Sequence, residues 1–367
     1  MTTIERDALS DKYRKFRVEN FPQTDLAGYL PVDGVEVKFL DGCNRSCIFC
    51  VNEDYIGKRL NPLDTGRFTQ SLFDWIDSPT EPERPEAVYG TGGEPLMALD
   101  LVEEVFRPLG ERGITTRLVT NGTLLDEKRI ARLVDMKLSG VKVTYNTADA
   151  ARLAALMKGS KYGDAELILR NIRLAKAAGL WVFIRIGLGK HNFDEAPRIY
   201  RIMREIGVDV VQIKPWIPSG LAAANQTELS LSPKVLFDRF TGIMEELYDE
   251  IQQPGGPEVT VSCYPPARNL GFTVKDCANV AKIYCEPCGH ALVCNFSDEY
   301  LGSWFPEDGG LLACVQRRRE LYPKIMDANG VASCPARLNW SSPTAVVNPA
   351  PEWKPASLLP LAVVKAE

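Results

Sequence analysis

Cys43, Cys47 and Cys50 stand in a Cys-x3-Cys-x2-Cys spacing inside the run Asp41-Gly42-Cys43-Asn44-Arg45-Ser46-Cys47-Ile48-Phe49-Cys50. Cysteine thiolates ligate iron–sulfur clusters, and an ordinary cubane takes four of them. Three on one short loop hold three irons of a 4Fe–4S cubane and leave the fourth open. An open iron on a reduced cluster accepts a chelating ligand, so the spacing points to a reaction as well as to a metal. Zinc is the competing assignment. Structural zinc sites use four ligands, usually in two pairs, and no fourth ligand is close in sequence. The chain's two histidines, His191 and His290, lie far along it.

A second motif, Thr91-Gly92-Gly93-Glu94-Pro95, follows a short apolar run. Paired glycines let a backbone approach a ligand closely. Their carbonyls and the Glu94 carboxylate are suited to accept hydrogen bonds from an ammonium group. The same residues also make an ordinary strand-to-helix turn, and only a position beside the cysteine loop lifts the ligand reading above that one.

The elements that must position these motifs alternate in type. Strands are expected at 35–40, 86–90, 115–120, 141–145, 181–186 and 208–213, from short β-branched and apolar runs. Helices are expected at 67–77, 98–112, 126–137, 164–178, 194–206 and 233–252, from their longer amphipathic period. Strands separated by helices imply a parallel sheet, since each crossover needs a helix. Six βα units are too few to close an eight-stranded barrel. The expected fold class is therefore α/β, a partial (β/α)6 barrel with its chemistry at the C-terminal strand ends. The cysteine loop follows the first strand and Gly92-Gly93-Glu94 the second, so both fall at that end. Residues 1–34 read as an N-terminal extension, 35–253 as the barrel, 258–340 as a small cysteine-rich domain and 341–367 as a Pro- and Ala-rich tail.

Composition narrows the class. The 367 residues are 45% hydrophobic and 25% charged, as in a globular protein. A net charge of −5 leaves no basic footprint for nucleic acid. Arg317-Arg318-Arg319 is the basic run, expected to be a solvated helix face. No apolar stretch approaches the ~20 residues of a membrane span, and the N-terminus has no signal core. A cytoplasmic location is expected, and there ten cysteines are metal ligands rather than disulfides.

Together, the three-cysteine loop with an aromatic before its last cysteine and Gly-Gly-Glu-Pro after the second strand resemble the radical S-adenosylmethionine (radical SAM) superfamily. Leu118-Val119-Thr120-Asn121-Gly122-Thr123-Leu124-Leu125 resembles the branch with C-terminal auxiliary clusters. The resemblance implies that the open iron binds the methionine amino and carboxylate groups, that an external flavodoxin- or ferredoxin-type donor supplies one electron, and that a 5′-deoxyadenosyl radical takes a hydrogen atom from substrate. It implies that Gly92, Gly93 and Glu94 hold the methionine amino group, Arg185 its carboxylate, Thr144 and Asn146 the ribose, and Phe49 the adenine. Asn192 and Lys214 are placed at the same mouth. Members often carry Ser-x-Asp where this chain has Thr144-Tyr145-Asn146.

Seven cysteines remain: Cys263, Cys277, Cys285, Cys288, Cys294, Cys314 and Cys334. Cys285-x2-Cys288-x5-Cys294 is similar to the core of the SPASM domain, and Cys263-x7-Gly271-x5-Cys277 to the start of that domain or of its shorter twitch relative. The SPASM pattern has a cysteine where this chain has Asp298. Seven thiols fit one closed auxiliary cluster plus one with an open iron, or one cluster with spare thiols. Zinc and scattered buried thiols are the alternatives. An auxiliary cluster accepts an electron from a substrate radical; a spare thiol, with Cys294 the candidate, returns a hydrogen atom instead. Asp276, Tyr284, His290 and Asp298 are candidate acid–base groups. The expected reaction is oxidation or epimerisation at a C–H carbon of a small polar molecule such as a sugar or aminocyclitol. A ribosomal peptide is the alternative substrate. Since 42 residues precede Cys43, where a leader-binding domain needs roughly eighty, the small molecule is the first expectation. A non-catalytic iron–sulfur or zinc scaffold is the third reading, and an ammonium pocket at Gly92–Glu94 argues against it.

Overall fold

A computed structural model of the chain describes residues 31–52, 61–261, 281–296, 299–327 and 330–331. Cys263, Asp276, Cys277, Asp298 and Cys334 lie outside the described residues, as does most of the expected N-terminal extension and all of the expected tail.

Six parallel strands form the body of one sheet: β1 (Gly34–Lys38), β2 (Ala87–Thr91), β3 (Thr115–Thr120), β4 (Gly140–Thr144), β5 (Trp181–Leu188) and β6 (Val210–Pro215). The longer helices between and after them are α1 (Thr65–Ile76), α2 (Leu99–Glu111), α3 (Glu127–Asp135), α4 (Asp164–Ala177), α5 (Ala196–Ile206) and α6 (Pro233–Gln252). Local signals start several of these helices. Asp64 and Asp126 accept the backbone N–H of Arg67 and Arg129 at 3.0 and 2.9 Å, which satisfies donors that a first helical turn leaves without partners.

The sheet extends past this body on both sides. After α6 comes β7 (Glu258–Val261), parallel to β6. On the other edge β8 (Lys282–Cys285) pairs in parallel with β1. It is followed by antiparallel β9 (His290–Leu292) and β10 (Tyr300–Ser303). The order is β10-β9-β8-β1-β2-β3-β4-β5-β6-β7. The region after 258, where the sequence shows little periodicity, thus supplies strands to both edges of the barrel sheet. Short parallel strands leave little periodic signal, and β7 and β8 have four residues each.

Burial alternates along each strand. Val35, Val37, Val88, Leu118, Val141, Val143, Ile184 and Ile186 are fully buried in one apolar cluster with helix residues such as Phe68, Val102, Ile168 and Ile199. Glu36, Tyr89, Arg117, Lys142, Arg185 and Gln212, on the opposite face, are half-buried and turn into the barrel.

The last helix among the described residues, α7 (Gly310–Ile325), lies against α1. Leu311 donates its N–H to Ser71 Oγ at 2.8 Å, and Trp304 meets Phe68 edge to face at 5.5 Å. This contact corrects one expectation. Arg318 is fully buried, and Arg319 binds the buried carboxylates of Glu81 (2.5 Å) and Glu83. Arg318 and Arg319 thus dock, because α7 turns Arg319 onto the acidic segment that precedes β2, while Arg317 stays exposed as expected.

Candidate active site

The cysteine loop leaves β1 at the rim, where Lys38 Nζ pairs with Asp41 at 2.5 Å. Neighbouring strand ends then fasten it from several sides. Ser46–Cys47 pair with Met157–Lys158 as a two-residue antiparallel ribbon, and Ile48 N–H donates to Leu156 O at 3.0 Å. From the segment after β6, Ala222 N–H donates to Cys50 O and Leu221 N–H to Asn52 O, each at 3.0 Å. Phe49 stacks on Trp216 at 4.6 Å and 23°, a packing contact beneath the loop. Arg45 reaches the first turn of α4, where it binds Asp164 at 2.8 Å. This ion pair is almost wholly buried, with side chains 12% and 6% exposed.

Gly92-Gly93-Glu94 lies against the same loop. Gly93 N–H donates to Leu40 O and Glu94 N–H to Gly42 O, both at 2.9 Å. A Cβ on Gly93 would fall 1.9 Å from Gly42 O, far inside contact distance, so close approach of the two loops requires this glycine. Glu94 is fully buried. Its carboxylate accepts Thr120 Oγ1 at 2.8 Å, Asn121 N–H at 2.9 Å and Leu96 N–H at 3.1 Å. Three of its roughly four acceptor positions are therefore taken within the chain. Burial pushes the Glu94 carboxyl up to about 7, opposed by the hydrogen bonds from Asn121, Thr120 and Leu96.

Sequence reasoning does not single out Asn121, although it lies in the Thr120-Asn121-Gly122 turn that carries part of the family resemblance. Its Nδ2 donates to Asn44 Oδ1 at 2.9 Å, and Asn44 Nδ2 donates to Thr123 Oγ1 at 2.9 Å. Three strand ends thus meet in one hydrogen-bonded patch around Cys43. Asn44, Arg45 and Asp164 were also missed, because their partners lie between 77 and 119 residues away.

The three thiols suit a cluster. Burial pushes Cys43 up to about 11, with neighbouring Glu94 and Cys50 adding to the rise. Cys47 is pushed well up by burial and by Cys50 and Cys43. Buried thiols this close repel one another as thiolates, and bound iron supplies the positive charge that makes them ligands.

Arg185 sits opposite Thr144 in the β4–β5 register, and its Nε donates to Gln212 Oε1 at 3.3 Å. Asn146 is buried and its Oδ1 accepts Gly187 N–H at 2.8 Å. Asn192, fully buried, donates to Asn146 O at 2.8 Å and Gly187 O at 2.6 Å. Both asparagines clamp the ends of β4 and β5 together.

The other predicted residues spread apart. Tyr284 is opposite Glu36 in the β8–β1 register, and alternation puts it with Lys282 on the barrel side. Cys285, on the other face, is fully buried in the apolar cluster with Ile283. Cys314 lies near enough to raise the Cys285 thiol, after burial. Cys294 Sγ accepts Phe296 N–H at 3.2 Å. Cys288 is exposed and groups with Glu286 and His290 within 4.8 Å.

Below the rim the barrel holds a cationic layer that sequence reading missed. Lys282 Nζ, Lys142 Nζ and the Arg117 guanidinium stand 3.8, 4.3 and 5.9 Å from the centre of the Tyr89 ring. Lys142 also lies 4.9 Å from the Phe183 ring, and Arg117 stacks 3.9 Å from that of Trp181. Glu36 faces Lys282 at 4.0 Å. Each cation–π contact is worth about 0.5–2 kcal/mol, less than the several kcal/mol a buried ion loses with its water. Accordingly burial, then the charges of Lys282 and Arg185, hold Lys142 well below the ordinary lysine range.

The radical SAM superfamily profile matches residues 37–212. The GTP 3',8-cyclase of Nitrobacter hamburgensis is 26% identical over 267 residues, 71% of this chain and 73% of that protein. The PqqA peptide cyclase of Granulibacter bethesdensis is 26% identical over 283 residues, 75% and 71%. Among solved structures, Streptococcus suis SuiB bound to precursor peptide SuiA superposes with a TM-score of 0.58 at 13% identity, over 78% of this chain and 63% of that one. Native anSMEcpe with bound AdoMet gives 0.56 at 19%, over 74% and 77%. The chain thus spans about three-fifths of the length of SuiB. No helix among the described residues is long and apolar enough to cross a membrane. From the three-cysteine loop, the strand ends that hold it and the match over residues 37–212, the chain belongs to the radical SAM superfamily, and its cofactors are a 4Fe–4S cluster and S-adenosylmethionine.

Proposed function

We propose that this enzyme abstracts a hydrogen atom from a small polar molecule seated inside the barrel, leading to oxidation or epimerisation. When bound at Cys43, Cys47 and Cys50, the cluster supplies the electron that cleaves S-adenosylmethionine to a 5′-deoxyadenosyl radical. The chain's own residues do the rest. Arg45, Asn44 and Asn121 hold the cysteine loop in place. The Gly92 and Gly93 carbonyls and the remaining acceptor position of Glu94 serve the methionine ammonium, and Arg185 its carboxylate. Thr144 and the Asn146 amide stand on the ribose side.

The observation that carries the reading is the join of the cysteine loop to Gly93 and Glu94, with the polar barrel interior below it. A carrier has no use for such an interior. The C-terminal cysteines support at least one auxiliary cluster, an electron acceptor for the oxidative outcome. A peptide substrate is the second reading, favoured by the similarity to a peptide cyclase.

The test is anaerobic. Cluster-replete protein is reduced and given S-adenosylmethionine, and 5′-deoxyadenosine is measured. Formation is expected; its absence from a sample with full iron content sinks the enzyme reading.

A further inference from the structure

The cationic layer has more positive charge than the chain itself answers. Lys142, Lys282 and Arg117 surround one ring, Tyr89, and one carboxylate, Glu36, faces them. Arg185 adds its charge beside Lys142 and Asp33 answers Lys282 in part, so the layer keeps a positive surplus. Lys142 makes no hydrogen bond or ion pair among the described residues, and Arg117 Nε is buried without a hydrogen-bond partner. The groups come from β2, β3, β4 and β8, on both sides of the β1–β2 pair, so they converge on the concave side of the sheet. Tyr89 is three residues below Gly92, about 10 Å at ~3.3 Å per residue. The layer is therefore a floor, distinct from the rim where the cysteines and Glu94 stand.

We propose that this floor binds a phosphate monoester of the substrate, with Lys142, Lys282 and Arg117 as its cations. An anion of high charge matches that surplus, and Arg117 and the lysines supply N–H donors suited to phosphate oxygens. A phosphorylated molecule of sugar size spans the 10 Å from floor to rim, which brings a carbon to the radical. The held-down ionisation of Lys142 agrees, since a bound anion restores its proton. The assignment rests on the barrel being the substrate chamber of the radical enzyme proposed above.

The probe is inorganic phosphate, titrated calorimetrically into the reconstituted full chain, with acetate and glucose as controls. Phosphate is expected to bind, acetate at least tenfold more weakly and glucose not at all. Lys142→Met should weaken phosphate tenfold or more, Lys142→Arg should restore it to within threefold, and Lys128→Met on exposed α3 should change nothing. Circular dichroism checks each fold, and Arg117→Leu is read in place of Lys142→Met if that variant unfolds. Equal affinity in the wild type and a folded Lys142→Met, no phosphate binding by the wild type, or acetate binding as tightly as phosphate each overturns the assignment. The 5′-deoxyadenosine assay on the wild type separates the two readings. Cleavage without phosphate binding removes the floor site alone, and phosphate binding without cleavage removes the radical reading alone.

Discussion

Two sets of cysteines in this chain are held in opposite ways. Cys43, Cys47 and Cys50 share one loop, are all half-buried, and sit where four strand ends and a helix start converge. Cys285, Cys288, Cys294 and Cys314 are dispersed among a strand, two turns and a helix. Three are buried and one is exposed. The first set is positioned by hydrogen bonds from the barrel, whatever the metal does. Strand β8 and helix α7 fix Cys285 and Cys314 of the second, so metal would have ordering left to supply chiefly at Cys288 and Cys294, which lie outside helices and strands.

That contrast breaks most sharply under substitution of the ligands. The triple variant Cys43→Ala, Cys47→Ala, Cys50→Ala should keep its fold, lose about four irons per chain, the content of one cubane, and lose 5′-deoxyadenosine formation entirely. Cys288→Ser, in the second set, should lower iron content while substrate-free cleavage of S-adenosylmethionine continues. Iron analysis beside the cleavage assay reads both. If Cys288→Ser abolishes cleavage, the two sets are one functional unit and the contrast fails.

Scaffolding of the first set depends on a buried ion pair. Asp164→Ala leaves Arg45 charged and buried without its partner, which costs about 3–5 kcal/mol. Reconstituted iron at the first set should fall and urea resistance should drop. Arg45→Met with Asp164→Leu should recover much of the stability. Failure of that double variant would mean that charge, rather than filled volume, is what holds the loop.

How much of this was legible follows from the range of each interaction. The six strands and helices were readable because period and capping are local, as with Asp126 before α3. Cys43, Cys47 and Cys50 were readable because their spacing spans eight residues. The buried Arg318 was not, since a run of three arginines looks solvated until α7 is docked on α1. Nor was the Tyr89 layer. Glu36, Tyr89, Arg117, Lys142 and Lys282 are single polar residues in five separate strands, and only the register of the sheet brings them together.

Glu94 gives a pH test of the same rim. Its carboxyl is raised to about 7 in the fold, so the folded state holds a proton that the unfolded state gives up near 4.5. Its contribution is fully present below pH 4.5 and is lost as pH rises through about 7. The difference is worth about 3 kcal/mol. Urea unfolding of metal-free protein should show the wild type losing stability relative to Glu94→Gln across that window and no further change above it. A flat difference would mean that Glu94 stays ionised and that its three hydrogen bonds outweigh its burial.

The smallest effect concerns Phe49. Its ring stacks on Trp216, and such a pair contributes about 0.5–1.5 kcal/mol beyond the area it buries. Leucine fills part of the volume but cannot stack. Phe49→Leu should therefore cost about 1 kcal/mol of stability and raise the KM for S-adenosylmethionine less than threefold. Ring contact with adenine would instead raise KM tenfold or more with little change in stability. Thermal unfolding and KM, measured on one preparation, decide whether Phe49 belongs to the scaffold under the cysteines or to the cofactor above them.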